Sequence, residues 1–154
     1  MNTRTFCGIA AVALALAIGG MVAAQQGQTP ESKVAHMEHN EATQACAKAC
    51  SDCQRACDTC ATHCAYLTAE GKKEHLTTLM TCQDCATVCA AAAQIVSRAG
   101  PHSVLITECC ARACDQCATA CEKFSDDKHM TACAEECRKC EKACRAMVKH
   151  MASK

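Results

Sequence analysis

Between residues 46 and 64 cysteine recurs at intervals of four, three, four, three and four, as Cys46, Cys50, Cys53, Cys57, Cys60 and Cys64. At about 3.6 residues per turn each step rotates the chain by about 100°, so all six fall within an arc of roughly 80° on a single helix face. Lys48, Asp52, Arg55, Asp58 and Thr62 lie between them and point the other way. The segment predicts an amphipathic helix whose inward stripe is made of sulfur.

The same spacing returns three times, as Cys82, Cys85 and Cys89, then Cys110, Cys114, Cys117 and Cys121, then Cys133, Cys137, Cys140 and Cys144. Glu70-Gly71-Lys72 breaks the first segment from the second, Gly100-Pro101 breaks the second from the third, and Ser125-Asp126-Asp127 offers an N-cap for the fourth. Short connectors make neighbouring helices antiparallel. The predicted fold is all-α, an up-down-up-down four-helix bundle with a cysteine-lined core over residues 41–154. Residues 25–40 read as an N-terminal tail or a short extra helix, with Thr29-Pro30-Glu31 as a helix start and Asn40 as a cap.

The first 24 residues carry Arg4, an apolar run from Phe6 to Ile18, and the small residues Val22-Ala23-Ala24. That is the pattern of a secretory signal peptide, and its apolar run is shorter than the roughly 20 residues that cross a bilayer. The reading is therefore export to the periplasm, with Cys7 leaving in the leader and no membrane attachment afterwards.

Beyond the leader there are only twelve Leu, Ile, Val and Phe residues, and aromatic residues make up 2% of the chain. A core must then be built from Ala and Cys, the one the best helix former and the other a small buried hydrophobe. Sixteen Lys and Arg balance sixteen Asp and Glu, which leaves no basic face for nucleic acid. Nor does the chain read as an enzyme. It has no Gly-rich phosphate loop and no Glu-x-x-His carboxylate pair, and its Cys-x-x-Cys units lack the βαβ setting of a redox protein.

Three readings of the thiols compete. A disulfide framework suits an exported chain, but stripes along straight helices meet the required Cα separations of about 4.4–6.8 Å only in places. Cysteine as a plain core residue would carry oxidative risk for less packing than Leu or Val. The third reading is metal. Soft thiolates select Cu(I), zinc or cadmium, and iron–sulfur clusters. Zinc wants four ligands converging on one point, usually from loops, whereas a rail of thiols suits an ion that takes two sulfurs and shares each with the next. Buried thiolates also need their charge cancelled. Monovalent Cu(I) does this at one ion per sulfur, and a zinc or cadmium thiolate protein remains the alternative, as does the disulfide-stapled bundle.

Repeated C-x-x-x-C and C-x-x-C units on four helices, with Ala between them and a leader in front, resemble the bacterial copper storage proteins, in particular their exported branch. The likeness runs from about Cys46 to Met151. It implies a bundle that fills with many Cu(I) ions, assembles as a homotetramer, and exchanges copper with a donor or acceptor protein. Exported members can carry a twin-arginine leader, whereas here Arg4 stands alone, which favours export of the unfolded chain.

Extending the stripes outward predicts what stands at the two ends. His36, Met37, His39, His102, Met147, His150 and Met151 gather at one mouth, where neutral thioether and imidazole can receive Cu(I). The opposite mouth, with Tyr66, Leu67, Leu76, Leu79, Phe124, His129 and Met130, reads as an apolar plug. His75 falls on the thiol face of the second helix as a candidate terminal ligand. Cys109 sits about 100° away from Cys110, and its role stays open as a further candidate ligand.

Overall fold

The computed structural model describes residues 41–153. Four helices account for most of them: α1, Glu41–Ala69; α2, Leu76–Ser97; α3, Ser103–Cys121; and α4, Lys128–Ala152. Single 3-10 turns at Lys73–His75 and Glu122–Phe124 lead into α2 and out of α3. Each helix packs against its neighbours in sequence, and α1 against α4 closes the square. The expected leader and the tail or short helix before Asn40 lie outside the described residues.

The sulfur contacts give the sense of every helix. Along α1 and α4, Cys46 meets Cys144 at 3.7 Å, Cys53 meets Cys137 at 3.7 Å, and Cys60 meets Met130 at 3.5 Å, so the two helices are antiparallel. Cys89 lies 3.6 Å from Cys110 and Cys82 lies 3.8 Å from Cys121, which makes α2 and α3 antiparallel too. Across the diagonal, Cys50–Cys110, Cys53–Cys114 and Cys57–Cys117 are each 3.8 Å apart. The diagonal pair α1 and α3 therefore runs parallel, and the up-down-up-down arrangement is the one the spacing predicts.

The helix ends show why the chain turns where it does. After α1, the N–H of Gly71 bonds Thr68 O at 3.0 Å and the N–H of Lys72 bonds Leu67 O at 3.0 Å, a Schellman motif with Gly71 at φ 92°. After α2 the same pair of bonds runs from Ala99 to Val96 O at 2.9 Å and from Gly100 to Ile95 O at 3.2 Å. Here the left-handed residue is Ala99, φ 48°, one position before the glycine the sequence offers. Pro101 disfavours helical backbone at Gly100, so the turn is completed earlier. At the start of α4 the expected cap is Asp127, whose carboxylate accepts from the N–H of His129 and Met130 and also faces His63 Nε2 at 2.7 Å.

The core holds almost no large aliphatic side chains. Val96, Met130 and Met147 are fully buried, and cysteine and alanine fill most of the remainder, with Thr78 and Thr107 among them. Ala47, Ala61, Ala86, Ala111, Ala118 and Ala134 flank the stripes, and their small side chains let the helices close on the sulfur. On the outside, Arg138 ties α4 to α3 by donating to Glu122 at 2.9 and 3.0 Å, to Asp115, and to Thr119 at 3.2 Å. It is a solvated network, worth little per pair.

Two substitutions test this account by urea unfolding of the metal-free protein. No heavy atom within 4 Å would meet a Cβ added at Gly71, so Gly71→Ala is expected to cost only its backbone strain, about 1 kcal/mol. Asp127→Ala should cost about 1 kcal/mol at neutral pH through loss of the cap. Burial pushes the Asp127 carboxyl up, but hydrogen bonds from His63 and from the N–H of His129 and Met130 outweigh it and leave the pKa lowered. That contribution is present above the unfolded carboxyl's value near pH 4 and is lost as pH falls through the lower folded value. The penalty of Asp127→Ala should fade in acid.

Candidate metal centre

Seventeen of the eighteen described cysteines are buried, and all eighteen are free. The seventeen are the ones the 4-3 spacing selects. Their sulfurs form one column down the axis, in successive contacts of 3.5 to 4.0 Å. Cys50 touches Cys110, Cys140 and Cys144; Cys53 touches Cys57, Cys114 and Cys137; Cys57 touches Cys117, Cys133 and Cys137. A disulfide needs sulfurs about 2.05 Å apart, so the column is made of separate thiols and the stapled bundle is not what the chain forms.

The spacing matches metal coordination. Sulfurs around one ion at bond lengths of about 2.3 Å stand roughly 3.8 Å apart. Sets of four converge along the column within 4.8 Å of one another: Cys50, Cys110, Cys140 and Cys144; Cys53, Cys85, Cys89 and Cys114; Cys57, Cys117, Cys133 and Cys137; Cys60, Cys82, Cys121 and Cys133. Cys133 belongs to two of these sets. Cys53, Cys57, Cys85 and Cys137 make a further set that joins the second to the third, so the sites share their ligands.

Hydrogen bonding among the thiols sorts their acidity. Cys46, near one end, is lowered to about 4, chiefly through its hydrogen bonds with Cys144 and Cys50. Cys64, near the other end, is lowered to about 3 by bonds from Cys60 and Cys82, with the rings of His75 and His63 adding to the effect. Deeper in the column the direction changes from sulfur to sulfur: Cys137 is pushed up, chiefly through its bonds with Cys117 and Cys133, whereas Cys53 is lowered, chiefly through Cys114 and Cys137. Deprotonating a buried thiol requires a cation to take the proton's place.

The ends differ from the sequence expectation. Past Cys46 and Cys144, the layer is completed by Thr107, Val96 and Met147, all buried, with Thr107 Oγ1 donating to Met147 Sδ at 3.6 Å. Met147 is therefore on the column as predicted, Met151 packs partly buried beside it, and His102 is exposed. His36, Met37 and His39 lie outside the described residues. The opposite end is the expected apolar plug only in part: Leu67, Leu79 and Phe124 pack partly buried against the core and Met130 is fully buried. Tyr66 and Leu76 are exposed rather than inserted, and the end layer is Cys64, Met130 and His75. Met130 Sδ stands 3.5 Å from Cys60 Sγ and 3.9 Å from Cys64 Sγ. His75 is buried and stacked on Phe124 at 4.1 Å, and its Nδ1 has no hydrogen-bond partner. The reason is one of register. Met130 precedes Cys133 by three and Cys137 by seven, the spacing of the stripe itself, so it points inward however bulky it is. That spacing was the available signal for an inward thioether that the apolar reading passed over. Cys109 lies off the column, half-buried on the outer side of α3.

The copper storage protein family model matches residues 39–149. The chain belongs to the copper storage protein family. A curated relative, the uncharacterized cysteine-rich protein YhjQ of Bacillus subtilis (strain 168), is 36% identical over 106 residues, covering 68% of this chain and 94% of its own. The Cu(I)-bound copper storage protein BsCsp3 superposes with a TM-score of 0.65 at 32% identity, covering 70% of this chain and 99% of that one. A cytosolic copper storage protein from Streptomyces lividans, in a form with five coppers, gives 0.62 at 32% identity, covering 71% and 93%.

The last of these corrects the expectation of export. That relative is described as cytosolic, which points away from the periplasm. The chemistry agrees, since a column of free thiols in mutual contact survives where glutathione and thioredoxin keep cysteine reduced.

Protein unfolded without oxygen or reductant is expected to take one alkylating group at every cysteine, as counted by intact mass. In the folded metal-free protein, peptide mapping should find Cys109 modified first. Mass lost in disulfides, or early reaction across the column, would contradict the arrangement.

Proposed function

We propose that the chain takes up many Cu(I) ions into its thiolate column and holds them for supply to copper enzymes or to keep free copper from doing harm. The observation that carries this is continuity: seventeen buried thiols in one line. A dication at each site would need two thiolates for neutrality and would leave sharing sulfurs over- or under-charged. A monovalent ion per sulfur cancels the charge at every point, and Cu(I) is the soft monovalent ion such ligands select. The Cu(I)-bound relative supports the choice. Storage fits a site built of ligands along its whole length. The chain works in the reducing cytosol, where its thiols stay available. Copies assemble as a homotetramer, an association supported by the exposed apolar side chains of Leu76 and Met80 on α2 and Leu105 on α3.

Anaerobic titration of the reduced protein with Cu(I), against a coloured cuprous chelator, should saturate near one ion per column thiol, about seventeen per chain. Close to one proton should be released for each ion bound, so apparent affinity should fall as pH is lowered. A zinc or cadmium thiolate protein would instead saturate at about half as many ions and resist displacement by Cu(I).

A further inference from the structure

The column is sealed from the side except at three residues. Every column cysteine is fully buried but for Cys60 and Cys133, each 2% exposed, and Cys85 at 1%. Cys60 and Cys133 form the floor of a groove of about 440 Å³ between α1 and α4. Two alanines, Ala56 and Ala132, leave room above the sulfurs, and Arg55, Thr59, Lys128 and His129 rim the opening. No carboxylate is among the lining residues. Arg55 is engaged by Asp52, whereas Lys128 has no hydrogen-bond or ion-pair partner among the described residues. Asp127, the nearest acid in sequence, turns its carboxylate to His63 and to the start of α4.

The matching groove on the opposite side, between α2 and α3, reaches Cys85 but is lined by Asp84 and Asp115 as well as Lys123. The α1–α4 window carries no carboxylate, whereas the α2–α3 window carries two, one of them bound by Arg138. Beneath the α1–α4 window lies the set Cys60, Cys82, Cys121 and Cys133, whose sulfurs are within 4.8 Å of one another.

We infer that the α1–α4 groove is a lateral port through which a small anionic thiol exchanges Cu(I) with Cys60 and Cys133. The inference rests on the copper-storage reading. The carboxylates of the incoming molecule meet Lys128 and the rim, and its sulfur reaches an ion held between the two thiolates. The exchange is a ligand substitution with copper remaining Cu(I). A bond forms from the incoming sulfur to copper, the bond from copper to Cys133 breaks, and the proton of the incoming thiol passes to the Cys133 sulfur. A second thiol repeats the step at Cys60, and the ion leaves as a bis-thiolate complex. The electrostatic attraction accelerates encounter, and salt screens it.

The test uses copper-loaded protein kept free of oxygen, with copper retained measured by rapid desalting and metal analysis. Two probes are compared at equal thiolate concentration: mercaptosuccinate, which carries two carboxylates, and neutral 2-mercaptoethanol. At low salt mercaptosuccinate should strip copper faster by on the order of tenfold, an advantage that shrinks as salt is raised. Lys128→Glu should erase the advantage while the neutral thiol keeps its rate. Ala132→Met, at an exposed position, should fill the opening and slow both probes. Equal rates for the two probes in the unaltered protein, or rates unmoved by both substitutions, would overturn the port and send exchange to the bundle ends. Copper content is measured first for every protein. A chain that retains no Cu(I) sinks the storage reading and the port with it, whereas full loading with unmoved rates sinks the port alone.

Discussion

Everything in this structure depends on keeping sulfur buried without keeping unbalanced charge buried. A thiol is content in an apolar core, but a thiolate in the same place is expensive unless something positive shares the space. In the metal-free chain the sulfurs hydrogen-bond one another down the column. The loaded chain resolves the conflict with cations. Helix spacing, alanine flanks and the scarcity of Leu and Phe all follow from a core designed around this exchange.

Such a core stabilises the fold less than an ordinary one. Each alanine or cysteine removes less apolar surface from water than a leucine would. The helices compensate through explicit terminators, two Schellman turns and the Asp127 cap. Metal that binds the folded column more tightly than the open chain adds stability by mass action. Cargo and core are then one and the same material.

The bundle and its column were legible in the sequence because a 4-3 repeat has only one meaning on a helix, and charged residues between the cysteines fixed which face turned inward. The layers at the ends were less legible. The one at the Cys64 end is completed by His75 and Phe124 on 3-10 turns, whose positions depend on how the connectors close rather than on helical periodicity. Met130 was readable by its spacing and was obscured by its neighbours' apolar character. Ala99 could not be found from composition, since the left-handed residue falls one position before the Gly100-Pro101 break. The compartment was read from an apolar leader, while the thiols themselves carried the opposing information.

The parallel diagonal helices face one another with an offset of 60 or 61 residues from rung to rung, as in Cys50–Cys110 and Cys53–Cys114. A single inserted residue would swing every later cysteine by about 100° out of the axis, whereas seven residues return the stripe to its place. Capacity in this architecture is consequently quantised. A longer vessel comes only in whole heptads added to all four staves together, about eight further sulfurs at a time.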